Sequence, residues 1–324
     1  MKRRLALQGL TAALPWLMAA RRSAASERVQ RLLCAVPAGS PPDRVARQYA
    51  SRLALPWAGR VVVENRPGGG GIVAVAALRL AAGEASTMLL GHSGLVTMLP
   101  FAHPRLPYDP VTDLVAVSTA AETGFGFAIG PAVPTEIASL AAFIDWARAR
   151  PREANVAYAG VATPLHALAV MVASELRVPM QPIGYSGGPQ AVTDMLGGRI
   201  ASAVLPEGLL RTLKEAGRLR VLATAGRVRS NVLPDVPSFA EQGLERLVVR
   251  DWFGFFMPAG VPNERVDEAS WAVRKAVAEP ALAAALQADG WSPLGSSPQA
   301  MRARIDAERP WWREVIAATG IRAE

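Results

Sequence analysis

Few stretches of the sequence carry residues whose types and spacing could perform chemistry. Gly69-x-Gly71-x-x-Ala74 loosely follows a dinucleotide fingerprint, in which glycines let the backbone approach a pyrophosphate at a helix start. The acidic residue that would hold a ribose hydroxyl about 20 residues further on is absent, because Leu89-Leu90-Gly91-His92 stands there. No G-x-x-x-x-G-K-[ST] phosphate loop occurs either, so no cofactor is expected. Leu90-Gly91-His92-Ser93-Gly94-Leu95 approximates the G-x-S-x-G elbow that exposes a serine nucleophile, with Leu95 where the last glycine belongs. A hydrolase using Ser93 would need a histidine late in the chain, and the last one is His166. That makes hydrolysis a disfavoured alternative. His92, His103 and His166 are too scattered for a metal constellation, and the single cysteine, Cys34, excludes an internal disulfide and a thiolate metal site.

What recurs is a turn rich in Gly, Ser and Thr behind an apolar run, at residues 37–43, 91–95, 159–166 and 185–191. A helix that starts at such a turn presents unpaired N–H groups and a partial positive charge. Several converging on one cleft would hold a carboxylate without any arginine. The same turns also cap helices in any α/β protein, so the pattern alone leaves both readings open.

The elements that would position these turns alternate between short apolar strands and amphipathic helices, which predicts an α/β fold with a largely parallel sheet in each lobe. Strands are expected over 31–36, 60–64, 87–90, 125–129, 156–158, 218–224 and 252–257. Helices are expected from Asp43, over 134–150, around 166–176, over 262–278, and as a helix pair over 298–319. With 324 residues the chain exceeds the usual size of one core, which favours two lobes. A chain that leaves the first lobe, builds the second and returns places two connecting segments at a hinge, near 124–128 and 224–250.

The first 25 residues read as an export signal. Lys2, Arg3 and Arg4 precede a mainly apolar run from Leu5 to Ala20, and Ser23-Ala24-Ala25 offers a cleavage site. The Arg3-Arg4 pair suggests the twin-arginine route. The alternative of a membrane anchor is weakened by Pro15 and by a run shorter than the roughly 20 apolar residues a spanning helix needs. Cleavage after Ala25 removes five basic residues and no acidic ones, so the formal charge falls from +8 to +3. No basic run with interleaved aromatics remains, so no nucleic-acid partner is expected. The mature chain is expected to be soluble, periplasmic and monomeric.

Six stretches, in order, carry a more specific signal. They are Val62-Val63-Glu64-Asn65-Arg66-Pro67-Gly68, Leu106-Pro107-Tyr108-Asp109-Pro110, Leu196-Gly197-Gly198-Arg199, Ala216-Gly217-x-Leu219-Arg220, Leu233-Pro234-Asp235-Val236-Pro237-Ser238, and Trp252-Phe253-Gly254 with Pro258-Ala259-Gly260-x-Pro262. With these the chain resembles the Bug-type, or TctC-like, substrate-binding proteins of tripartite tricarboxylate transporters, from about residue 29 to the end. The resemblance implies a type II periplasmic-binding-protein fold, with two lobes, each on a mostly parallel sheet, joined by a two-segment hinge. Residues 26–124 and 236–324 would form lobe one and 125–235 lobe two. It also implies an extracytoplasmic solute-binding protein, not an enzyme, that closes on a small organic carboxylate and delivers it to membrane transporter subunits. A ligand sensor that presents its closed form to a sensor kinase is the alternative.

Carried over position by position, the resemblance nominates ligand-contacting residues in both lobes. In lobe one they are Ala38, Gly39 and Ser40, then His92, Ser93 and Gly94. Pro42 stands where the family has a hydroxyl residue, and it has no N–H to donate. Asp43 is expected to serve its helix. In lobe two the nominated residues are Gly160, Val161, Ala162, Thr163 and His166, then Tyr185, Gly187 and Gly188. Leu205 takes a position often held by aspartate in this family. The apolar replacements favour a hydrophobic or aromatic monocarboxylate over a citrate-like ligand.

Overall fold

The computed structural model describes residues 29–323. The proposed signal segment lies outside the described residues. The chain opens with β1 (Val29–Cys34), α1 (Pro41–Ala50), β2 (Arg60–Asn65), α2 (Ile72–Arg79), β3 (Thr87–His92) and two short helices, α3 (Gly94–Thr97) and α4 (Leu99–Ala102). The long strand β4 (Leu114–Ile129) leads into α5 (Leu140–Ala149), β5 (Asn155–Ala159), α6 (Pro164–Glu175), β6 (Gln181–Tyr185), α7 (Gly188–Leu196), β7 (Ser202–Pro206), α8 (Glu207–Glu215) and β8 (Arg220–Thr224). After two short 3-10 turns follow β9 (Arg250–Pro258), α9 (Asn263–Val277), α10 (Pro280–Ala288), β10 (Ser292–Pro293) and α11 (Pro298–Thr319).

Lobe one pairs its strands in the order β2-β1-β3-β9-β4, with β10 on the far edge of β4. Lobe two pairs β6-β5-β7-β4, with β8 also on β4. In lobe one β1, β2 and β3 are parallel while β9 and β10 run against their neighbours. In lobe two β5, β6 and β7 are parallel, and β4 is antiparallel to β7 and β8. Because β4 belongs to both lobes, the two sheets are hydrogen-bonded into one curled sheet. The sequence suggested a strand only over 125–129, whereas β4 begins eleven residues earlier, at Leu114. The expected terminal helix pair is one helix, α11, with Pro310 inside it.

The changeover along β4 is sharp. Gly124 pairs with Arg250 of β9, and the next residue, Phe125, pairs with Pro206 of β7. Glycine leaves room there for the helix that follows β7. A Cβ on Gly124 would lie 2.3 Å from the Glu207 carboxylate, and one on Gly126 would lie 2.7 Å from Leu210 Cδ1, so both allow α8 to lie against the strand. On the return path Phe239 packs near Phe127, and Arg246 pairs with Glu175 of α6, so this stretch still lies against lobe two. The chain re-enters the lobe-one sheet only at Arg250. The pairing thus suggests a return near 249/250, later than the 235/236 read from the sequence.

Amphipathic patterning explains the layers. α1 turns Val45, Ala46 and Tyr49 inward, and the buried Tyr49 hydroxyl donates to Ala120 O at 2.7 Å. Central β3 is buried along its whole length while edge strand β2 alternates, as sheet position dictates. In lobe two Phe127 packs edge to face on Phe143, and Phe143 packs tilted on Trp146, at 5.1 and 5.6 Å between ring centroids. Side chains of this size each contribute about 1.5–3 kcal/mol on full burial.

Candidate functional site

The turns nominated by the sequence sit at the C-terminal ends of β1, β3, β5 and β6, where an α/β sheet presents helix starts to a crevice. Their polar groups are more committed to one another than the sequence suggests. In the β1–α1 turn, Asp43 accepts from Gly39 N at 2.8 Å, from Arg47 Nε at 3.0 Å and from Asn65 Nδ2 at 2.8 Å. Burial pushes its carboxyl upward, but Arg47, Asn65 and the Gly39 N–H together hold it below the ordinary range. Ser40 donates its hydroxyl to Pro37 O at 2.6 Å. Pro42 lies in the first turn of α1, where a missing N–H leaves no helix bond unmade. Of the three residues nominated in this turn, Ala38 alone keeps an uncommitted N–H, on an exposed tip.

At the end of β3, Ser93 is nearly fully buried and donates its hydroxyl to Asp251 Oδ1 at 2.7 Å, while its N–H donates to Trp252 O at 2.8 Å. Burial raises the Asp251 carboxyl, and the neighbouring His92 and the Ser93 donors offset part of that. His92 Nε2 lies 2.8 Å from Gly70 O. This overturns the hydrolase alternative. The Ser93 hydroxyl has a carboxylate for a partner and no imidazole, so the base that a serine nucleophile needs is missing. Asp251, 158 residues away in the chain, escaped notice because one acidic residue at the head of an apolar strand gives no pattern.

In lobe two, Thr163 caps α6 by accepting from His166 N at 3.3 Å, and its hydroxyl donates to Gly160 O at 2.9 Å. Ala162 adopts a left-handed φ of 52°, held by its N–H donating to His166 Nδ1 at 3.1 Å. His166 stacks face to face on Tyr158 at 4.2 Å. Burial pushes the imidazole down to about 4, so the neutral ring accepts at Nδ1. Gly160 N donates to Tyr185 O at 2.8 Å, which ties this turn to the next. The Tyr185 hydroxyl donates to Asp194 at 2.9 Å. Leu205 is completely buried in the lobe-two core, in one cluster with Ala157, Ala191 and Met195.

The groups left over are backbone donors. Among the described residues, the N–H groups of Val161, Thr163, Gly187 and Gly188 have no protein partner. They stand at the N-termini of α6 and α7, where orphan donors and the helix dipole favour an anion.

Loops of the two lobes meet in this arrangement. A Cβ placed on Gly70 would lie 3.0 Å from Val161 O, and one on Gly94 would lie 3.5 Å from Pro164 Cδ. Two open surface depressions lie elsewhere on lobe one, beside Arg79 and Asp113 and between α9 and α11. The turn at 160–166 and the lobe-one residues Gly70 and Gly94 thus flank a seam between the lobes. No group of His, Cys, Asp and Glu suited to a metal occurs among the described residues.

The family model described as the tripartite tricarboxylate transporter family receptor, TctC, matches residues 45–321. The chain belongs to the TctC family. It is accordingly a solute-binding protein and not an enzyme. A relative from Pseudomonas sp. strain P51, named for its place in the tcbD-tcbE intergenic region, is 30% identical over 86% of this chain and 83% of its own. BugT of Bordetella pertussis is 29% identical over 90% of this chain and 89% of its own. Among solved structures, Rpa4515 of R. palustris with adipate superimposes with a TM-score of 0.84 at 26% identity, over 91% of this chain and 99% of that one. Among the described residues, no helix of this TctC-family chain is long and apolar enough to cross a membrane.

Proposed function

We propose that this TctC-family protein is exported to the periplasm, captures a small organic carboxylate between its lobes as a monomer, and delivers it to the membrane subunits of a tripartite uptake system. The observation that carries the reading is the set of four uncommitted N–H groups at Val161, Thr163, Gly187 and Gly188, on two helix starts whose turns are tied by Gly160 N donating to Tyr185 O, the first of them meeting lobe one at Gly70. Such donors suit a carboxylate's oxygens, and the helix dipoles add to the attraction. The neighbour solved with adipate supports the same ligand class. At the seam Pro164 offers an apolar ring and the Val161 side chain is half exposed, which favours an acid with a hydrophobic or aromatic body over a citrate-like one.

A thermal-shift screen of mono-, di- and tricarboxylates, followed by calorimetry on the hits, tests this directly. A saturating ligand should raise the melting temperature by mass action, by about 2.7 kcal/mol of stability at a hundredfold excess over Kd. A panel in which no acid shifts the transition would sink the carboxylate reading. Uptake of the labelled hit, lost on deletion of the gene, would tie binding to transport. An intact uptake rate with loss of an acid-induced transcriptional response would point to sensing instead.

A further inference from the structure

One polar atom on the lobe-one side of the seam is unaccounted for. His92 is only 5% exposed, and among the described residues its Nδ1 has no hydrogen-bond partner. The other ring nitrogen settles the tautomer. Gly70 O can only accept, so Nε2, 2.8 Å away, carries the hydrogen. Asp251, the carboxylate that interacts electrostatically with this ring, is bonded to Ser93 and makes no hydrogen bond with either ring nitrogen. In the tautomer that the bond to Gly70 O selects, Nδ1 keeps a bare lone pair.

That lone pair faces the seam. A methyl group built on Gly94 would lie 2.8 Å from Nδ1 and 3.5 Å from Cδ of Pro164 in the opposite lobe. Proline has no N–H, so this lobe-two neighbour supplies no donor. Within lobe one the nearby Ser93 hydroxyl is already committed to Asp251. A buried acceptor left without a donor is unfavourable, and a pocket built around one discriminates strongly between ligands that do and do not supply the donor.

Building on the proposed carboxylate site, we infer that His92 is a specificity-determining residue that accepts a hydrogen bond at Nδ1 from a hydroxyl on the ligand. The ligand is then a hydroxy acid: its carboxylate meets the N–H groups of α6 and α7, and its hydroxyl meets His92 across the seam. Gly94 keeps the approach to Nδ1 clear, since any side chain there would press on the imidazole.

The test is calorimetry with acid pairs that differ by one hydroxyl, such as succinate and malate, or phenylacetate and mandelate. The hydroxylated member of at least one pair should bind about tenfold tighter or more, as one added hydrogen bond to a buried acceptor requires. In His92→Phe the ratio should collapse toward one, with the hydroxylated acid losing more than its plain partner. Nitrogen-15 NMR of the wild-type ring, which needs no variant to fold, should show Nδ1 shifting on hydroxy-acid binding while Nε2 stays put. Equal affinities within every pair, or a preference that survives in His92→Phe, would overturn the role of His92 and leave the carboxylate reading standing. Absence of binding by any acid would bring down both.

Discussion

Gly208 of lobe two and Gly290 of lobe one press backbone against backbone. A Cβ on Gly208 would sit 2.2 Å from Asp289 O, and one on Gly290 would sit 2.4 Å from Gly208 Cα. Around them Arg211 of α8 donates to Ala288 O, and Arg44 of α1 pairs with Asp289 at 3.0 Å. The contact joins the first turn of α8 to the turn that follows α10, so it depends on how the lobes are oriented. Gly208→Ala should hold the lobes apart at this edge, because the opposing atoms are backbone and cannot turn aside. Helix propensity alone would favour alanine by up to about 1 kcal/mol, so the variant should fold. Ligand affinity should fall about tenfold or more, and small-angle scattering with saturating ligand should show a larger radius of gyration than the wild type. An unchanged affinity would mean that the contact does not form in the liganded state.

Glu207 presses its carboxylate on the crossing strand at Gly124. Burial raises its carboxyl, with the Ser230 hydroxyl and the Arg250 charge offsetting part of the effect, and Oε1 has no partner among the described residues. A raised carboxyl keeps its proton in the folded chain after the unfolded chain has lost it. Stability therefore declines as pH rises from the ordinary carboxylate range through the raised value, and levels off above it. Glu207→Gln should flatten this decline and melt higher than the wild type at neutral pH. Thermal melts of both proteins across pH 4 to 8 measure it.

His166 gives the opposite slope. Its folded value of about 4 lies below the ordinary one, so the unfolded chain binds the extra proton first as pH drops. Stability from this residue is complete at neutral pH and is lost as pH falls through the window between about 6.5 and 4. Protonation also removes the acceptor that holds Ala162 at its left-handed φ, and with it the presentation of the Val161 and Thr163 donors. Affinity for the acid should weaken over the same window, and His166→Gln should remove most of that dependence. Calorimetry at pH 5 and 7 on both proteins decides the matter, with a buffer-matched fully ionised ligand.

Local pattern carries the α/β alternation and the turns at strand ends, because each is written in neighbouring residues. It fails where distant partners decide. Glu122-Thr123-Gly124 looks like a break in β4, yet Glu122 stays in the strand because Arg250 and Arg304 neutralise it from outside. Burial raises the Glu122 carboxyl, and those two guanidinium groups outweigh it. The stretch from Gln181 to Glu215 holds two strands and two helices, of which the sequence marked only the strand-to-helix turn at 185–191, since Pro182, Gly184, Gly188 and Pro189 punctuate it like a loop. At the site, hydroxyls that suggested ligand contacts turn out to be engaged at home: Thr163 at its cap, Tyr185 with Asp194, Ser93 with Asp251. The donors that remain belong to the backbone, and residue type alone does not show which of them are unpaired.

Ser93 separates a structural serine from a reactive or ligand-binding one. Its hydroxyl donates to a carboxylate that is fully buried, so Ser93→Ala removes a donor and leaves Asp251 with the weaker contact from Ser93 N at 3.3 Å. Loss of a hydrogen bond to a buried, charge-bearing group costs about 1–3 kcal/mol. Urea denaturation of Ser93→Ala should show that loss as a lower midpoint at unchanged slope, because the surface exposed on unfolding is the same. Ester turnover should be absent from wild type and variant alike, since no imidazole bonds the hydroxyl. Affinity for the acid should fall by no more than the slackening of the Asp251 anchor allows, about threefold or less. A much larger loss of affinity with unchanged stability would instead place the hydroxyl on the ligand and make Asp251 its orienting partner.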